Sequence, residues 1–238
     1  MSTDSYHSTP VEFKPLAEGA VLADFGNRID PALNRRAVAL CKWLEDHPFP
    51  GFIECVPAYA AVAVFFDPDH PALSAHGDHL GLITGHLLQG LSSSSSVPDH
   101  QGRLITIPVL YDGPDLTFVA ESHDLEESAI ISIHGSVTYH AYMIGFLPGF
   151  AYLGQVDERI ATPRRASPRT LVPAGSVGIA GRQTGIYPLD SPGGWQLIGR
   201  TPLHMFDPAR NQPCLILPGD RVRFESIGVD EFNALHGH

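Results

Sequence analysis

GFLPGFAYLG, residues 145–154, and TGIYPLDSPGGWQLIGRTP, residues 184–202, decide how the second half of this chain folds. They belong to a stretch, Gly145 to Gly199, that contains ten Gly and six Pro in 55 residues, with aromatic residues and short Val/Ile runs between them. Gly and Pro supply turns, and short β-branched and aromatic runs favour strands. The pattern therefore predicts a small barrel or sandwich of short strands.

The first half of the chain has the composition of an α+β domain. GAVLADFGN predicts a short strand, and Asp30 followed by Pro31 predicts the start of a helix, because Asp is a favoured N-cap and Pro is tolerated at the first helical position. PAYAAVAVFFD predicts a buried strand, and Leu73 to Leu91 predicts a second helix.

LSSSSSVPDHQG, residues 91–102, marks the boundary between the two halves. A Ser run followed by Pro and Gly neither packs against a core nor sustains a periodic element. We therefore predict an α+β domain over residues 1–98 and a β-rich domain over residues 99–238. Within the second domain, RLITIPVLYD predicts a strand, and Asp124 with Glu127 predicts a capping box for a helix that ends near His134.

The overall composition excludes several classes of protein. Hydrophobic content of 43% with 17% charged residues is too apolar for a disordered acidic chain. The net charge of −11 would repel nucleic-acid phosphates. No stretch approaches the roughly 20 apolar residues of a membrane span, and the N-terminus lacks a signal-peptide pattern. We therefore expect a cytoplasmic protein with neither a nucleic acid nor a membrane as partner. The histidine spacing, seven residues between His79 and His86, predicts no metal site.

Positive charge is concentrated in residues 159–223, which carry +6, whereas residues 1–158 carry −14 and residues 224–238 carry −3. All nine cations of this segment are arginines, and a guanidinium group binds carboxylate or phosphate through two parallel hydrogen bonds. Collectively they favour an anionic ligand. Any single arginine could equally satisfy a loop carbonyl or pair with the acidic first domain.

Familiar catalytic and nucleotide-binding motifs are missing. GSVGIAG, residues 175–181, lacks the lysine of a Walker loop, since Lys14 and Lys42 are the only lysines, and its GxxGxxG spacing differs from the dinucleotide fingerprint. AGSVG around Ser176 resembles a nucleophile elbow, but the Gly and Pro that follow cannot form the required helix. The catalytic residues therefore stay unassigned.

The segments 145–154 and 184–202 combine flat aromatic side chains with a few directional polar groups, which is typical of a small-molecule pocket. The alternative is that the aromatic residues form core and the glycines only turns. His134 is a further candidate, because a helix C-terminus raises the pKa of a nearby imidazole and favours its cationic form.

A family resemblance is carried by four runs of residues: IPVLYDGPDL, YMIGFLPGFAYLG, ATPRRASPRTLVPAGSVGIAGRQTGIYPLDSPGGWQLIGRTP and LPGDRVRF. These runs resemble the family of the 5-oxoprolinase B subunits, also called allophanate hydrolase subunit 1 or the KipI family. The match is dense over residues 103–224 and looser in the first domain. The resemblance implies a small α+β N-terminal domain followed by a cyclophilin-like β-barrel of the carboxyltransferase subdomain type.

The resemblance also implies an activity and partners. Such a chain looks like one subunit of an ATP-dependent 5-oxoprolinase, a hydrolase in which it works with a C-subunit homologue and with a separate A subunit. The implied reaction converts 5-oxoproline, ATP and water to glutamate, ADP and phosphate, with ATP bound by the complex. The alternative implied by other relatives is a non-catalytic, KipI-like inhibitor of a sensor histidine kinase.

Lactam opening through phosphorylation of the amide oxygen would place negative charge on the transferring phosphoryl group, where arginines and backbone N–H groups stabilise it. No residue is an obvious base, so we expect the isolated chain to be inactive and its site to be completed by a partner. We predict three kinds of site residue. They are anion contacts at Arg169, Arg182 and Arg200, polar positioning groups at His134 and Gln183, and a pocket wall of Phe146, Phe150, Tyr152 and Tyr187.

Overall fold

The computed structural model describes residues 10–75, 77–94 and 102–236. The chain divides into two compact units, residues 1–100 and 101–238. Leu91 to Ser94 of the predicted linker form the end of a helix, and residues 95–101 lie outside the described part of the chain. The predicted boundary at residue 98 therefore stays a prediction.

The first unit is a four-stranded antiparallel sheet packed against helices. Its elements are β1 (Glu12–Ala17), β2 (Ala20–Asp24), α1 (Pro31–Asp46), β3 (Phe52–Pro57), β4 (Ala61–Phe66), α2 (Pro71–Ser74) and α3 (His79–Ser94). The strand order is β1-β2-β4-β3, and the inward side chains of β2 and β4 pack with the apolar face of α1 in one core. This confirms the predicted mixture of strands and helices in the first half.

Two helix predictions in this unit have different outcomes. The start of α1 is confirmed, because the Asp30 carboxylate accepts a hydrogen bond from the backbone N–H of Ala32 at 2.8 Å. The single helix predicted from Leu73 to Leu91 is wrong. The chain breaks at Gly77, whose φ of 66° leaves the right-handed helix, and Asp78 accepts from the N–H of Gly81 at the start of α3.

The second unit is a nearly closed seven-stranded barrel with peripheral helices. Its elements are β5 (Leu104–Val109), α4 (Leu116–Ser122), α5 (Glu127–Ser136), β6 (Thr138–Ile144), β7 (Ala151–Gly154), β8 (Arg169–Val172), β9 (Ser176–Ala180), β10 (Gln183–Ile186), β11 (Ser191–Gly193), β12 (Gln196–Arg200), β13 (Arg221–Ser226) and α6 (Val229–His236). The strand order is β12-β9-β10-β7-β6-β13-β5, with only β5 and β13 parallel among the pairs of this sheet; β8 and β11 form a separate pair.

The barrel closes where the chain after β5 meets β12. Leu110 and Arg200 exchange backbone hydrogen bonds of 2.9 Å, which joins the two ends of the sheet. Gly199 permits this approach, since a Cβ at this position would lie 2.7 Å from the carbonyl oxygen of Leu110. The interior is filled by apolar side chains such as Val109, Ile179 and Phe224. The predicted barrel of short strands joined by Gly- and Pro-rich turns is therefore confirmed.

The predicted capping box before α5 is wrong. Asp124 lies in the left-handed region with a φ of 53°, and the N–H of the next residue, Leu125, turns back to the carbonyl of Ala120. The helix begins at Glu127, whose carboxylate instead accepts from the hydroxyl of Thr117. The local S/T/D-x-x-E pattern thus ends one helix rather than starting the next.

Candidate functional site

An aromatic cluster packs beside the main barrel core in the second unit. Phe150 lies at its centre, with its ring centroid 4.9 Å from Tyr152, 5.3 Å from Tyr187 and 5.3 Å from Trp195. Gly185 on β10 allows this packing, because a Cβ there would lie 3.1 Å from the Trp195 ring and 3.3 Å from the Phe150 ring. The residues that made the sequence unusual therefore do converge in one place.

Most of this cluster is core rather than pocket wall. Phe150 and Tyr187 are each 1% exposed, so the prediction that their rings line a pocket is wrong for this structure. The accessible members are Tyr152, which is half-buried, and Phe146, which is 62% exposed and stands edge-on to Phe150. Phe146 has a φ of 67°, an uncommon backbone conformation for a bulky side chain and one that marks candidate functional positions.

The loop that runs from Thr162 to Arg169 borders the aromatic cluster and is fixed by hydrogen bonds along its length. The side-chain amide of Gln196 donates to the carbonyl of Pro163 at 3.0 Å, and the N–H of Arg165 donates to the carbonyl of Gly194 at 2.7 Å. We call this segment the arginine loop. Because both anchoring partners flank Trp195, the loop is held against the cluster.

Asp115 is the buried carboxylate that holds the arginine loop from below. It is 4% exposed, and it accepts from Arg165 at 3.0 Å, from Arg169 at 2.7 Å and from the N–H of Leu197 at 2.7 Å. Two guanidinium groups thus share one carboxylate. Asp115 was not predicted from the sequence, because its partners lie 50 and more residues away.

Arg164 lies on the same loop but does not pair with Asp115. Its guanidinium carbon lies 5.9 Å from the centroid of the Trp195 ring, and the side chain is exposed. Burial raises the pKa of Tyr152 and of Tyr187, and the positive charge of Arg164 acts against the rise in both. Arg164 has neither a hydrogen bond nor an ion pair with any residue of the described segments.

The three arginines predicted as anion contacts all face carboxylates of this chain. Arg169 pairs with Asp115, Arg182 pairs with Glu158 at 2.8 Å, and Arg200 pairs with Asp112 at 2.9 Å. An incoming anion would have to displace these carboxylates. Their role as anion contacts stays a prediction, and the structure brings only Arg169 close to the aromatic cluster, through a 3.4 Å hydrogen bond to the carbonyl of Trp195.

His134 is fully buried in the barrel and bonded at both ring nitrogens. The Thr184 hydroxyl lies 3.0 Å from Nε2 and donates its own proton to the carbonyl of Gly178, so Nε2 carries the imidazole proton. The Tyr111 hydroxyl then donates to Nδ1 at 2.8 Å. The ring also stacks on Phe224 at 4.5 Å. His134 is therefore a satisfied polar member of the core.

The predicted cationic state of His134 is wrong. Burial lowers the pKa of its imidazole to about 3, because the charged form loses its hydration inside the barrel. The favourable effect of a helix C-terminus, typically 0.3–1 kcal/mol and about 2 at most, is too small to compensate. Gln183, the second predicted polar group, begins β10 on the same strand face as Gly185 and is half-buried on the side of the aromatic cluster.

Two cavities of the structure lie away from the aromatic cluster. One cavity of about 520 Å³ lies in the first unit and is lined by Leu22, Asp24, Arg28 and Tyr59 among others. A second, of about 390 Å³, lies on the barrel beside Thr106 and Phe224. Among the described residues, no helix is long and apolar enough to cross a membrane, and no group of three or more side chains is arranged to hold a metal ion.

Comparison with known proteins places this chain in a class. Residues 11–216 match the family model described as carboxyltransferase domain, subdomain C and D, so the protein is a carboxyltransferase-domain protein. Its relatives narrow the class. It is 40% identical to the 5-oxoprolinase B subunit of Bacillus subtilis (strain 168), covering 94% of this chain and 95% of the relative. Identity to the protein of the same name from Escherichia coli O157:H7 is 43%, covering 88% and 93%. The chain belongs to the family of 5-oxoprolinase B subunits.

A solved structure has a similar fold. The protein TTHA0988, in space group P212121, matches with a TM-score of 0.76 and 39% identity over 88% of this chain. This chain spans 40% of the length of that one. The family resemblance predicted from the Gly-, Pro- and aromatic-rich runs is confirmed.

Proposed function

We propose that this chain is the B subunit of an ATP-dependent 5-oxoprolinase, a complex that opens the lactam of 5-oxoproline to glutamate while ATP is hydrolysed. The observation that carries the proposal is the 40% and 43% identity to two proteins of that name over nearly their whole length. The partners we propose are the A subunit of the enzyme, together with a C-subunit homologue, and the cytoplasm is the proposed location.

The chemistry of the described residues supports a shared site. A lactam carbonyl is resonance-stabilised, so its opening needs an activated amide oxygen and a base or nucleophile. His134 cannot act as that base, because both ring nitrogens are bonded and the imidazole is buried. We propose that the groups that carry out proton transfer come from the partner subunits.

The residues of this chain do not fit a triphosphate-binding loop. GSVGIAG, residues 175–181, runs through strand β9 inside the barrel sheet instead of forming a loop before a helix. Both lysines, Lys14 and Lys42, lie in the first unit. We therefore derive no nucleotide site on this chain, and we propose that the partners bind ATP.

The proposal is tested by reconstitution. The chain should be purified alone and together with the A and C subunits, and glutamate release from 5-oxoproline should be measured with and without ATP. We expect ATP-dependent glutamate release from the mixture of all three subunits. We expect little or none from the lone chain, or from the A and C subunits without this chain. Robust turnover by the lone chain would refute the shared site, and an inactive but assembled complex would refute the proposed reaction.

A further inference from the structure

We propose that Arg164 binds the carboxylate of a small acidic substrate, and that Phe146 and Tyr152 provide the apolar surface of the same site. The inference rests on the proposed function, in which that substrate is 5-oxoproline. It assigns the anion contact to an arginine that the sequence could not distinguish from its neighbours.

Arg164 differs from most arginines of the basic segment in having no carboxylate partner. Six of the nine arginines between residues 159 and 223 form ion pairs with carboxylates of this chain: Arg159, Arg165, Arg169, Arg182, Arg200 and Arg210. Arg221 donates to the carbonyl of Gly102. In the part of the chain that the structure describes, Arg164 and Arg223 have neither kind of partner, and of these two only Arg164 lies at the aromatic cluster.

Arg164 is also held in place by its neighbours. Pro163 before it and Arg165 after it are both anchored through their backbone, to Gln196 and Gly194. A guanidinium group on a fixed loop loses less conformational entropy on binding than one on a mobile segment. Its position over Trp195 also orients the planar fork without using any of its N–H donors.

The arginine loop has an excess of positive charge. Arg164, Arg165 and Arg169 contribute three positive charges within six residues, and Asp115 neutralises one of them. The loop thus keeps a local net charge of +2 on a chain whose total is −11. This local positive charge favours the binding of an anion at the loop of a chain that is negative as a whole.

The nature of the ligand follows from what surrounds the charge. Tyr152 lies 6.1 Å from the Trp195 ring over which the guanidinium stands, and Phe146, which is 62% exposed, extends this aromatic surface through its edge-on contact with Phe150. A small ring acid offers both complementary parts, an apolar ring edge and a carboxylate that accepts two N–H bonds. A nucleotide phosphate offers similar oxygens, so the two sources must be separated by experiment.

The test uses the reconstituted complex with Arg164→Gln, which removes the charge and keeps most of the side-chain volume. We expect the KM for 5-oxoproline to rise about 10- to 100-fold, the range of a lost charge-assisted hydrogen bond, while the KM for ATP changes less than about twofold. Arg164→Lys should lie between, because it keeps the charge but not the fork. The matched control is Arg159→Gln, an exposed arginine paired with Asp157, which should leave both constants unchanged.

A rise in the KM for ATP alone, or no change in either constant, would overturn the assignment.

A second measurement is independent of turnover, and so remains decisive if the complex does not act on 5-oxoproline. The chain has two tryptophans, so a Trp43→Phe background leaves Trp195, next to Arg164, as the only reporter.

In that background, titration with 5-oxoproline should change the fluorescence of the isolated chain at lower concentration than titration with inorganic phosphate, and Arg164→Gln should abolish the response. A response that survives Arg164→Gln, or the lack of any response to 5-oxoproline in the parent, would overturn the proposal. Loss of complex assembly with unchanged probe binding would overturn it too, and would make Arg164 a contact to a partner protein.

Discussion

The core around His134 and the loop around Arg164 differ in how their polar groups are hydrogen-bonded. Around His134 every donor finds an acceptor: Tyr111, His134, Thr184 and the carbonyl of Gly178 form one continuous chain of hydrogen bonds inside the barrel. In the arginine loop, two guanidinium groups are bonded to Asp115, and a third, Arg164, is left exposed over Trp195.

The contrast separates residues that build the fold from a residue available to a ligand. Unpaired polar groups inside a barrel cost stability, so the interior selects complete networks. At the surface water solvates an unpaired charge, so the chain can leave one free. An arginine that lies between two anchored neighbours and has no carboxylate partner among the described residues therefore indicates binding more strongly than a buried and fully bonded histidine does.

Among the substitutions that test this contrast, the largest loss of stability is expected at Asp115. Asp115→Ala leaves the Arg165 and Arg169 guanidinium groups and the N–H of Leu197 without their acceptor, and we expect a loss of about 3 kcal/mol in the free energy of unfolding. Urea denaturation measures it. Arg164→Ala is the control and should cost less than about 0.5 kcal/mol, because the side chain is exposed and makes no hydrogen bond to a described residue. Equal losses would mean that Arg164 is as structural as the two arginines bonded to Asp115.

A smaller loss is expected at the centre of the core network. His134→Leu removes the acceptor of the Tyr111 hydroxyl and the donor to Thr184, and the buried hydroxyls that remain should cost about 2 kcal/mol. His123→Leu provides the control, because it removes a comparable 3.0 Å hydrogen bond, to Thr162, from a half-buried position and should cost less than about 1 kcal/mol. A cost at His134 no greater than at His123 would show that the network contributes little.

The sequence predicts the core more readily than it predicts the role of any one polar residue. The Asp30–Pro31 start of α1 and the strands of the Gly- and Pro-rich region depend on local geometry, which neighbouring residues determine. The break at Gly77 was missed, although Gly followed by Asp is a local signal for a helix end and a new N-cap, which Asp78 provides. The left-handed Asp124 was missed, because its spacing to Glu127 also fits a capping box.

The roles of the candidate site residues depend on distant residues more than the helices and strands do. Arg164 and Arg165 are adjacent and chemically identical, and only Asp115, 50 residues before Arg165, makes one of them structural. The same holds for His134. Its place near a helix end predicted a positive charge, but barrel strands that come later in the sequence bury the imidazole and keep it neutral.

A pH titration sharpens the description of the core. The pKa of His134 in the folded barrel, about 3, lies below the 6.5 of an unperturbed imidazole, so in this interval the unfolded chain binds a proton that the folded chain does not. Stability should therefore fall as the pH decreases below about 6.5, by up to about 1.4 kcal/mol per pH unit from this group. Urea denaturation between about pH 6 and pH 4.5, above the carboxyl range, should show a steeper slope for the parent than for His134→Leu. Identical slopes would contradict a neutral buried imidazole.

The smallest effect is expected at Arg200, and it tests whether pairing with an internal carboxylate removes an arginine from ligand binding. Arg200 and Asp112 are about half exposed, and the guanidinium also lies 4.5 Å over the Phe232 ring. An exposed ion pair and an exposed cation–π contact each contribute at most about 1 kcal/mol, so Arg200→Ala should lower the unfolding free energy by about 1 kcal/mol. Because Asp112 already occupies the guanidinium fork, the KM of the complex for 5-oxoproline should change less than about twofold.

Asp112→Ala, measured alongside, should cost similarly little stability and should also leave the KM unchanged. If Arg200→Ala instead raises the KM as far as Arg164→Gln does, with the complex intact and the melting temperature preserved, then internal pairing does not exclude anion binding. The site would in that case include the arginines that the sequence first indicated.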